Sequence, residues 1–205
     1  MVSQMDTIFI RKAKTEEGLN RVFNVRWAGY KKYFNKKEEA IDKYDYAPNV
    51  TLLLAEDGYH EPVGTMRILD RRHGKIELDE FVEVDSLIPD NERPCAEVTR
   101  FSFSKHLKSK LIKLLLWKAV FRYCQVNQIN TMLISLPPSA VRDYQRLFLL
   151  EDTGPSGVYH HRLFKNAEHH TYKCDIPKTL EFLKSSKHPL YDFFCIDDHS
   201  NINME

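Results

Sequence analysis

The sequence predicts one α/β domain in which a mixed central sheet is flanked by helices, and three observations carry that prediction. Short runs rich in Val, Ile, Thr and Phe alternate along the chain with segments of helical periodicity. The run Thr131–Leu136 has no charge and is largely apolar, the composition of a central strand covered on both faces. The stretch Lys105–Asn127 carries Leu111, Ile112, Leu114, Leu115, Leu116, Trp117, Val120, Phe121 and Tyr123, so a helix made of it must be packed on a sheet over most of its surface. No repeat, low-complexity stretch or linker interrupts the 205 residues, enough for a single domain with a substantial core. Residues 1–197 are therefore expected to form that domain, with the polar residues 198–205 as a disordered tail.

The elements follow in order. Thr7–Lys12 alternates weakly as a first strand, and Thr15 before Glu16 and Glu17 supplies a hydroxyl cap with acids in the first turn. Leu19, Val22, Phe23, Arg26, Trp27 and Tyr30 recur at helical spacing to about Tyr33. Asn35–Glu39 is a polar connection. Thr51–Glu56 and Pro62–Leu69 flank Asp57-Gly58 as a hairpin, and Lys75–Val84 suits a short edge element. Cys95–Phe103 is the next strand, followed by the long helix and the strand Thr131–Leu136. Pro137-Pro138-Ser139 ends that strand and caps a helix over Ala140–Leu149. Gly154–Gly157 is a loop, Val158–Phe164 and His170–Ile176 are closing strands, and Pro177–Leu183 is a short helix. Within the long helix, Lys110, Lys118, Arg122 and Gln125 mark the remaining polar stripe.

Composition excludes several classes of function. With 30 basic and 29 acidic residues there is no global charge to favour a nucleic-acid partner. The run Leu111–Cys124 is too short to span a bilayer and is broken by Lys113, Lys118 and Arg122, so no integral membrane segment is expected. Met1–Thr7 is mostly polar and has no signal-peptide pattern. Cys95, Cys124, Cys174 and Cys195 are widely separated, as suits buried reduced thiols, and a cytoplasmic location is expected. His160-His161 and His169-His170 are adjacent pairs whose side chains point to opposite faces of a strand, so no metal site is expected there.

The charges that demand an explanation are Glu97 and Arg100, set in an otherwise apolar strand. An unpaired buried charge costs several kcal/mol, so the pair belongs to an ion-pair network or to an active site. Asp42, Asp45 and Arg67 are the other charges expected to converge on them. Asp42 and Asp45 fit turn caps as well as they fit a binding site. Three residues apart on a regular strand, Glu97 and Arg100 point to opposite faces, so direct pairing would need a bulge.

Four motifs stand in sequence: Arg26-x-x-x-Tyr30; Asp42-x-x-Asp45 followed by Leu52-Leu53-Leu54-Ala55; Val63-Gly64-Thr65-Met66-Arg67-Ile68-Leu69; and Glu97-Val98-Thr99-Arg100-Phe101. In that order, and with this order of elements, the chain resembles the GNAT superfamily of N-acetyltransferases. Within it the chain resembles the N-acyl amino acid synthases and the acyl-homoserine-lactone (autoinducer) synthases. The motifs lie in the first half, while the second half agrees in element order alone. Lys36 stands near the place of a tryptophan usual in autoinducer synthases, and Ala40 replaces an acid before the paired aspartates. These departures turn the expectation from lactone synthesis with S-adenosylmethionine toward amide formation with an ordinary amino acid.

The resemblance implies a GNAT-like fold and an N-acyltransferase that moves a fatty acyl group from an acyl-carrier-protein (or CoA) thioester to the amine of an amino acid-like acceptor. It implies Glu97 and Arg100 as catalytic, and Arg26, Tyr30, Asp42, Asp45, Arg67, Phe101 and Phe103 as substrate-binding. The segment after the Glu97 strand lacks a Gly-rich pyrophosphate cradle. Lys105, His106, Lys108 and Lys110 at the helix start suit instead the phosphopantetheine of a carrier protein. The acyl thioester enters as co-substrate, with no tightly bound cofactor and no metal. Amide formation needs a proton taken from the amine, a thioester carbonyl held close, and a stabilised oxyanion. Glu97 is suited to the first and a backbone amide of its strand to the last, while Met132, Ile134 and Phe148 are core residues that could also line an acyl pocket. The alternatives are an acyl-homoserine-lactone synthase, an acetyl-CoA-dependent GNAT enzyme, and a non-catalytic acyl- or ligand-binding module of the same fold.

Overall fold

In the computed structural model, residues 7–104, 109–145 and 147–204 are described. In chain order they form β1 (Ile8–Lys12), α1 (Glu16–Tyr30), β2 (Val50–Asp57), β3 (Pro62–Asp70), α2 (Val84–Leu87), β4 (Cys95–Phe103), α3 (Ser109–Val126), β5 (Thr131–Leu136), α4 (Val141–Gln145), β6 (Glu151–Asp152), β7 (Val158–His161), β8 (Ala167–Asp175), α5 (Ile176–Ser185) and β9 (Ile202–Asn203). The chain divides into two compact units, one drawn from 1–68, 98–123 and 199–205, the other from 69–97 and 124–198. Strands β3 and β4 and helix α3 each pass from one unit into the other.

In the first unit the strands run in the order β9-β1-β2-β3-β4. The Thr15 hydroxyl accepts from the Gly18 amide at 3.1 Å and starts α1. The inner face of that helix puts Val22 and Phe23 against Ala13, Leu52 and Leu54. From α3, Ile112, Leu115, Leu116, Trp117 and Val120 are all buried. The helix comes so near the hairpin that a Cβ on Gly64 would meet Ile112 Cγ2 at 2.8 Å and Leu116 Cδ1 at 3.1 Å. Lys118, expected on the polar stripe, is 1% exposed, so α3 is covered on that side as well. The chain end also differs from the expected disordered tail. Ile10 lies opposite Ile202 in a parallel pairing, and the Ile10 amide donates to Asn201 O at 2.8 Å. Burying Ile202 on the edge of β1 gives these residues an apolar anchor that their polar composition conceals.

In the second unit β4 pairs with β5 in parallel and β5 with β8 antiparallel, while β6 and β7 both lie antiparallel to β8. The ladder with β4 ends at Glu97–Leu133, while β5 runs on to Leu136 against β8. The stretch expected as an edge element at Lys75–Val84 forms a 3-10 turn over Glu77–Glu80 instead. The Asp79 carboxylate accepts from the Ile76 amide at 2.9 Å, and this local bond outcompetes strand pairing. The helix expected to reach Leu149 ends at Gln145, and β7 ends at His161. Lys165 and Asn166 adopt φ of 57° and 54°, which makes the turn into β8. Asp175 caps α5 by accepting from the Lys178 amide at 2.8 Å. No described helix is long and apolar enough to cross a membrane.

Candidate active site

In the first unit four of the motifs' charged side chains meet around Asp42. Arg26 on α1 donates from Nη1 to Asp45 Oδ2 at 2.6 Å and to Ala40 O at 3.0 Å. Arg67 on β3 donates from Nη1 to Asp42 Oδ1 at 2.7 Å and to Asp45 Oδ1 at 3.0 Å. Arg100 on β4 donates from Nη2 to Asp42 Oδ2 at 2.6 Å. The side chains of Arg26, Arg67 and Asp45 are 0% exposed, whereas that of Asp42 is 22% exposed. Asp42 is thus the member of this network that solvent, or a substrate, can reach.

Local chain chemistry places the two aspartates. Asp42 caps a 3-10 turn over Lys43–Tyr46 and Asp45 lies within it: Asp42 Oδ1 accepts from the Tyr44 amide and Asp45 Oδ2 from the Asp42 amide. The turn caps and the ion-pair network are therefore made by the same residues. Burial alone would raise the Asp42 carboxyl, but the guanidinium groups of Arg67 and Arg100 overcome that and hold it well below the ordinary carboxylate range. Burial lowers the Arg26 guanidinium, and Arg67 and Arg100 add to that effect against Asp45.

Two features were not foreseen, a contact and a backbone conformation. Thr99 Oγ1 accepts from Arg67 Nε at 3.0 Å, which gives the threonine of Glu97-x-Thr99-Arg100 a fixed partner. Arg100 has a φ of 53°, so the strict alternation of a regular strand does not govern where its side chain points. Such left-handed non-glycine residues cost about 1–3 kcal/mol and cluster at functional sites. A signal for Thr99 existed in its spacing, two residues from Glu97, whereas nothing in the sequence marks the backbone of Arg100. Tyr30 donates its hydroxyl to Phe101 O at 2.7 Å. The Phe101 ring lies 5.3 Å from that of Phe103 and 6.2 Å from Trp117, forming an aromatic patch on which Phe103 is 37% exposed.

Glu97 belongs to the second unit. It is 2% exposed, and its Oε2 accepts from the Leu78 amide at 3.1 Å. Residues directly opposite one another across strands share a sheet face, so Glu97, Leu133, Lys173 and Glu151 form one row. Ala96, Met132 and Cys174 form the neighbouring row on the other face. The residues named as possible acyl lining therefore separate. Met132 and Ile134 are core on the face opposite Glu97. Phe148, Leu149 and Leu150 form the apolar part of a cavity of about 380 Å³ whose remaining lining is polar and mostly charged, Glu151 and Lys173 among it, on the face that carries Glu97. Lys173 there is held by Glu92 at 2.8 Å and Glu151 at 3.5 Å.

Of the expected donor-binding residues, Lys110 is exposed in the first turn of α3. Lys105, His106 and Lys108 lie outside the described residues. Among the described residues no group of three or more His, Cys, Asp or Glu is placed to hold a metal ion.

A family model described as "N-acyl amino acid synthase FeeM" matches residues 24–168, well over half of the chain. Among solved structures the chain is similar to FeeM, an N-acyl amino acid synthase from uncultured soil microbes. That likeness has a TM-score of 0.71 at 17% identity over 91% of this chain and 97% of the other. It is also similar to BjaI, a CoA-dependent acyl-homoserine lactone synthase solved with SAM and isopentyl-CoA. Here the TM-score is 0.61 at 17% identity, over 97% and 94% of the two chains. A protein described as a GNAT-family acetyltransferase from Desulfovibrio desulfuricans gives a TM-score of 0.56 at 10% identity, over 83% and 99%. At these identities the likeness shows the fold, which is that of GNAT proteins. No curated protein matches significantly.

Proposed function

The chain belongs to the N-acyl amino acid synthase FeeM family, and on that premise we propose that it moves a fatty acyl group from an acyl-carrier-protein or CoA thioester to the amine of an amino acid. It is an N-acyltransferase; the donor and the acceptor are what the proposal adds. The observation that carries the proposal is a carboxylate, Glu97, almost wholly buried in β4 and oriented by a backbone amide. A desolvated, oriented carboxylate is suited to general-base work.

In the proposed reaction Glu97 takes a proton from the acceptor's ammonium group, directly or through a water. The freed amine attacks the thioester carbonyl, a C–N bond forms, the C–S bond breaks, and the thiol leaves with a proton. A backbone amide of β4 stabilises the oxyanion formed in between. Asp42, the reachable carboxylate of the arginine network in the first unit, is a proposed substrate-binding residue, suited to a cationic group through a charge-assisted hydrogen bond. Arg26, Arg67 and Asp45 hold Asp42 in place, and Arg100 fixes its second oxygen. The cavity beside Phe148 is the proposed acyl pocket, and Phe101, Phe103 and Tyr30 are proposed lining for substrate. Exposed Lys110, with Lys105, His106 and Lys108, is the proposed dock for an acidic carrier protein. The description of BjaI as CoA-dependent supports an acyl thioester as co-substrate. Three buried cysteines with free thiols support a reducing, cytoplasmic setting.

The test is turnover of purified protein with acyl carrier protein and CoA thioesters and a panel of amino acids, read by mass spectrometry, beside Glu97→Gln. Loss of a general base lowers turnover by about 10²–10⁴-fold. Turnover of Glu97→Gln within tenfold of the parent would remove Glu97 from the mechanism. No acyl amino acid from any pairing would remove the substrate assignment.

A further inference from the structure

The second unit holds a buried glutamate–histidine contact that the proposed reaction does not use. Glu77, which opens the 3-10 turn Glu77–Glu80, is 6% exposed, and its Oε1 lies 3.7 Å from Nε2 of His161 on β7, itself 5% exposed. The residue after Glu77 is Leu78, whose amide donates to Glu97. One peptide unit therefore separates the His161–Glu77 contact from the hydrogen bond on the proposed base.

The surrounding groups clamp the turn from the same side. Phe81, just after the turn, stacks on Tyr159 with ring centroids 4.5 Å apart and lies 5.1 Å from the His161 ring. His161 also lies 5.1 Å from His169, whose own proton affinity is lowered by burial. Burying two polar side chains costs free energy unless each is held by a neighbour, so each confines where the other can lie. Such a pair fixes geometry. A backbone donor at 3.1 Å passes beyond hydrogen-bond distance with a shift of about half an ångström.

We propose that Glu77 and His161 are positioning residues that hold the Leu78 amide on Glu97 and thereby set the orientation of the catalytic carboxylate. The proposal rests on the reading of Glu97 as general base. Neither residue touches substrate in this arrangement; both act through the turn.

The experiment is steady-state kinetics of Glu77→Gln and His161→Gln, each alone and combined with Glu97→Gln, with unfolding midpoints measured in parallel. Misplacing a reacting group by about an ångström costs up to about 10²-fold. Either single substitution is expected to lower kcat by about 10–100-fold with KM within about threefold. Added to Glu97→Gln, neither should lower turnover further, because the group they orient is already gone. Leu183→Ala, which opens a gap in the core of the same unit on α5, an element to which neither residue belongs, is expected to lower the unfolding midpoint and leave kcat within twofold. Wild-type kcat in folded Glu77→Gln and His161→Gln overturns the proposal. So does a full multiplicative loss in the double variants, or a kcat loss in Leu183→Ala equal to theirs. If Glu77→Gln fails to fold, His161→Gln carries the same expectations. Undiminished turnover of Glu97→Gln alone would instead refute the general-base reading, a distinguishable result.

Discussion

Asp45→Asn removes one charge and leaves the shape of the network almost unchanged, so its cost isolates the electrostatics. Asp45 Oδ2 accepts from Arg26 at 2.6 Å and from the Asp42 amide at 2.9 Å, and Oδ1 accepts from Arg67 at 3.0 Å. Asparagine has one acceptor oxygen, so whichever way its amide turns, an N–H faces an N–H. Arg26 has little else to fall back on, since its Nε and Nη2 find no protein partner among the described residues. Its remaining bond goes to Ala40 O. Removing one partner of a buried pair costs about 3–5 kcal/mol. At roughly 2–4 °C per kcal/mol for a chain of this size, the unfolding midpoint should fall by about 6–20 °C. Urea unfolding followed by circular dichroism measures the loss directly. A loss below about 1 kcal/mol would refute the argument, because it would mean that the network is solvated enough for water to replace the carboxylate.

Asp42 gives a pH-dependent prediction of definite sign. Its carboxyl titrates lower in the folded chain than in the unfolded one, so its contribution is complete above the ordinary carboxylate value of about 3.9 and is lost as pH falls through the folded value. The stability gap between the parent and Asp42→Asn, measured by urea unfolding from pH 7 downward, should narrow on acidification; a gap that widens contradicts the assignment. Gly64→Ala should cost about 1–3 kcal/mol by overpacking against Ile112 and Leu116, and a neutral result in the same unfolding assay would show that α3 yields easily. Burial pushes the Cys95 thiol up to about 11 and Cys174 up to about 12, and raises Cys124 as well. Native protein at pH 8 should therefore react quickly with a thiol reagent only at exposed Cys195, and fast labelling of a second cysteine would contradict the burial of these side chains.

The regular elements were legible because each is specified locally. Thr15 with Glu16 and Glu17 announces α1, and the uncharged run Thr131–Leu136 marks β5 to the residue. The same locality misleads where composition and context disagree. Lys75–Val84 has strand-like residues, yet Asp79 turns the segment through a single bond to the Ile76 amide. The final residues look disordered, yet Ile202 is buried on the edge of β1. Lys118 occupies a polar position on a helical wheel that has no solvent-facing side there.

At the candidate site the sequence by itself determined which charged residues had to be accounted for. Charges set in apolar strands must be satisfied, and Arg67, Glu97 and Arg100 stand out on that ground, whereas Arg26, Asp42 and Asp45 stand out through the motifs that carry the family resemblance. Only the tertiary structure decided how they are used. It closes Arg26, Arg67 and Asp45 from solvent and leaves Asp42 reachable, because burial depends on which strands and helices pack around a side chain. It recruits Thr99 through the register of two strands, and it turns Arg100 by a left-handed backbone that no residue type signals. It also separates Phe148 from Met132 and Ile134, since strand pairing assigns each residue to a face and that pairing is made between segments far apart in the chain.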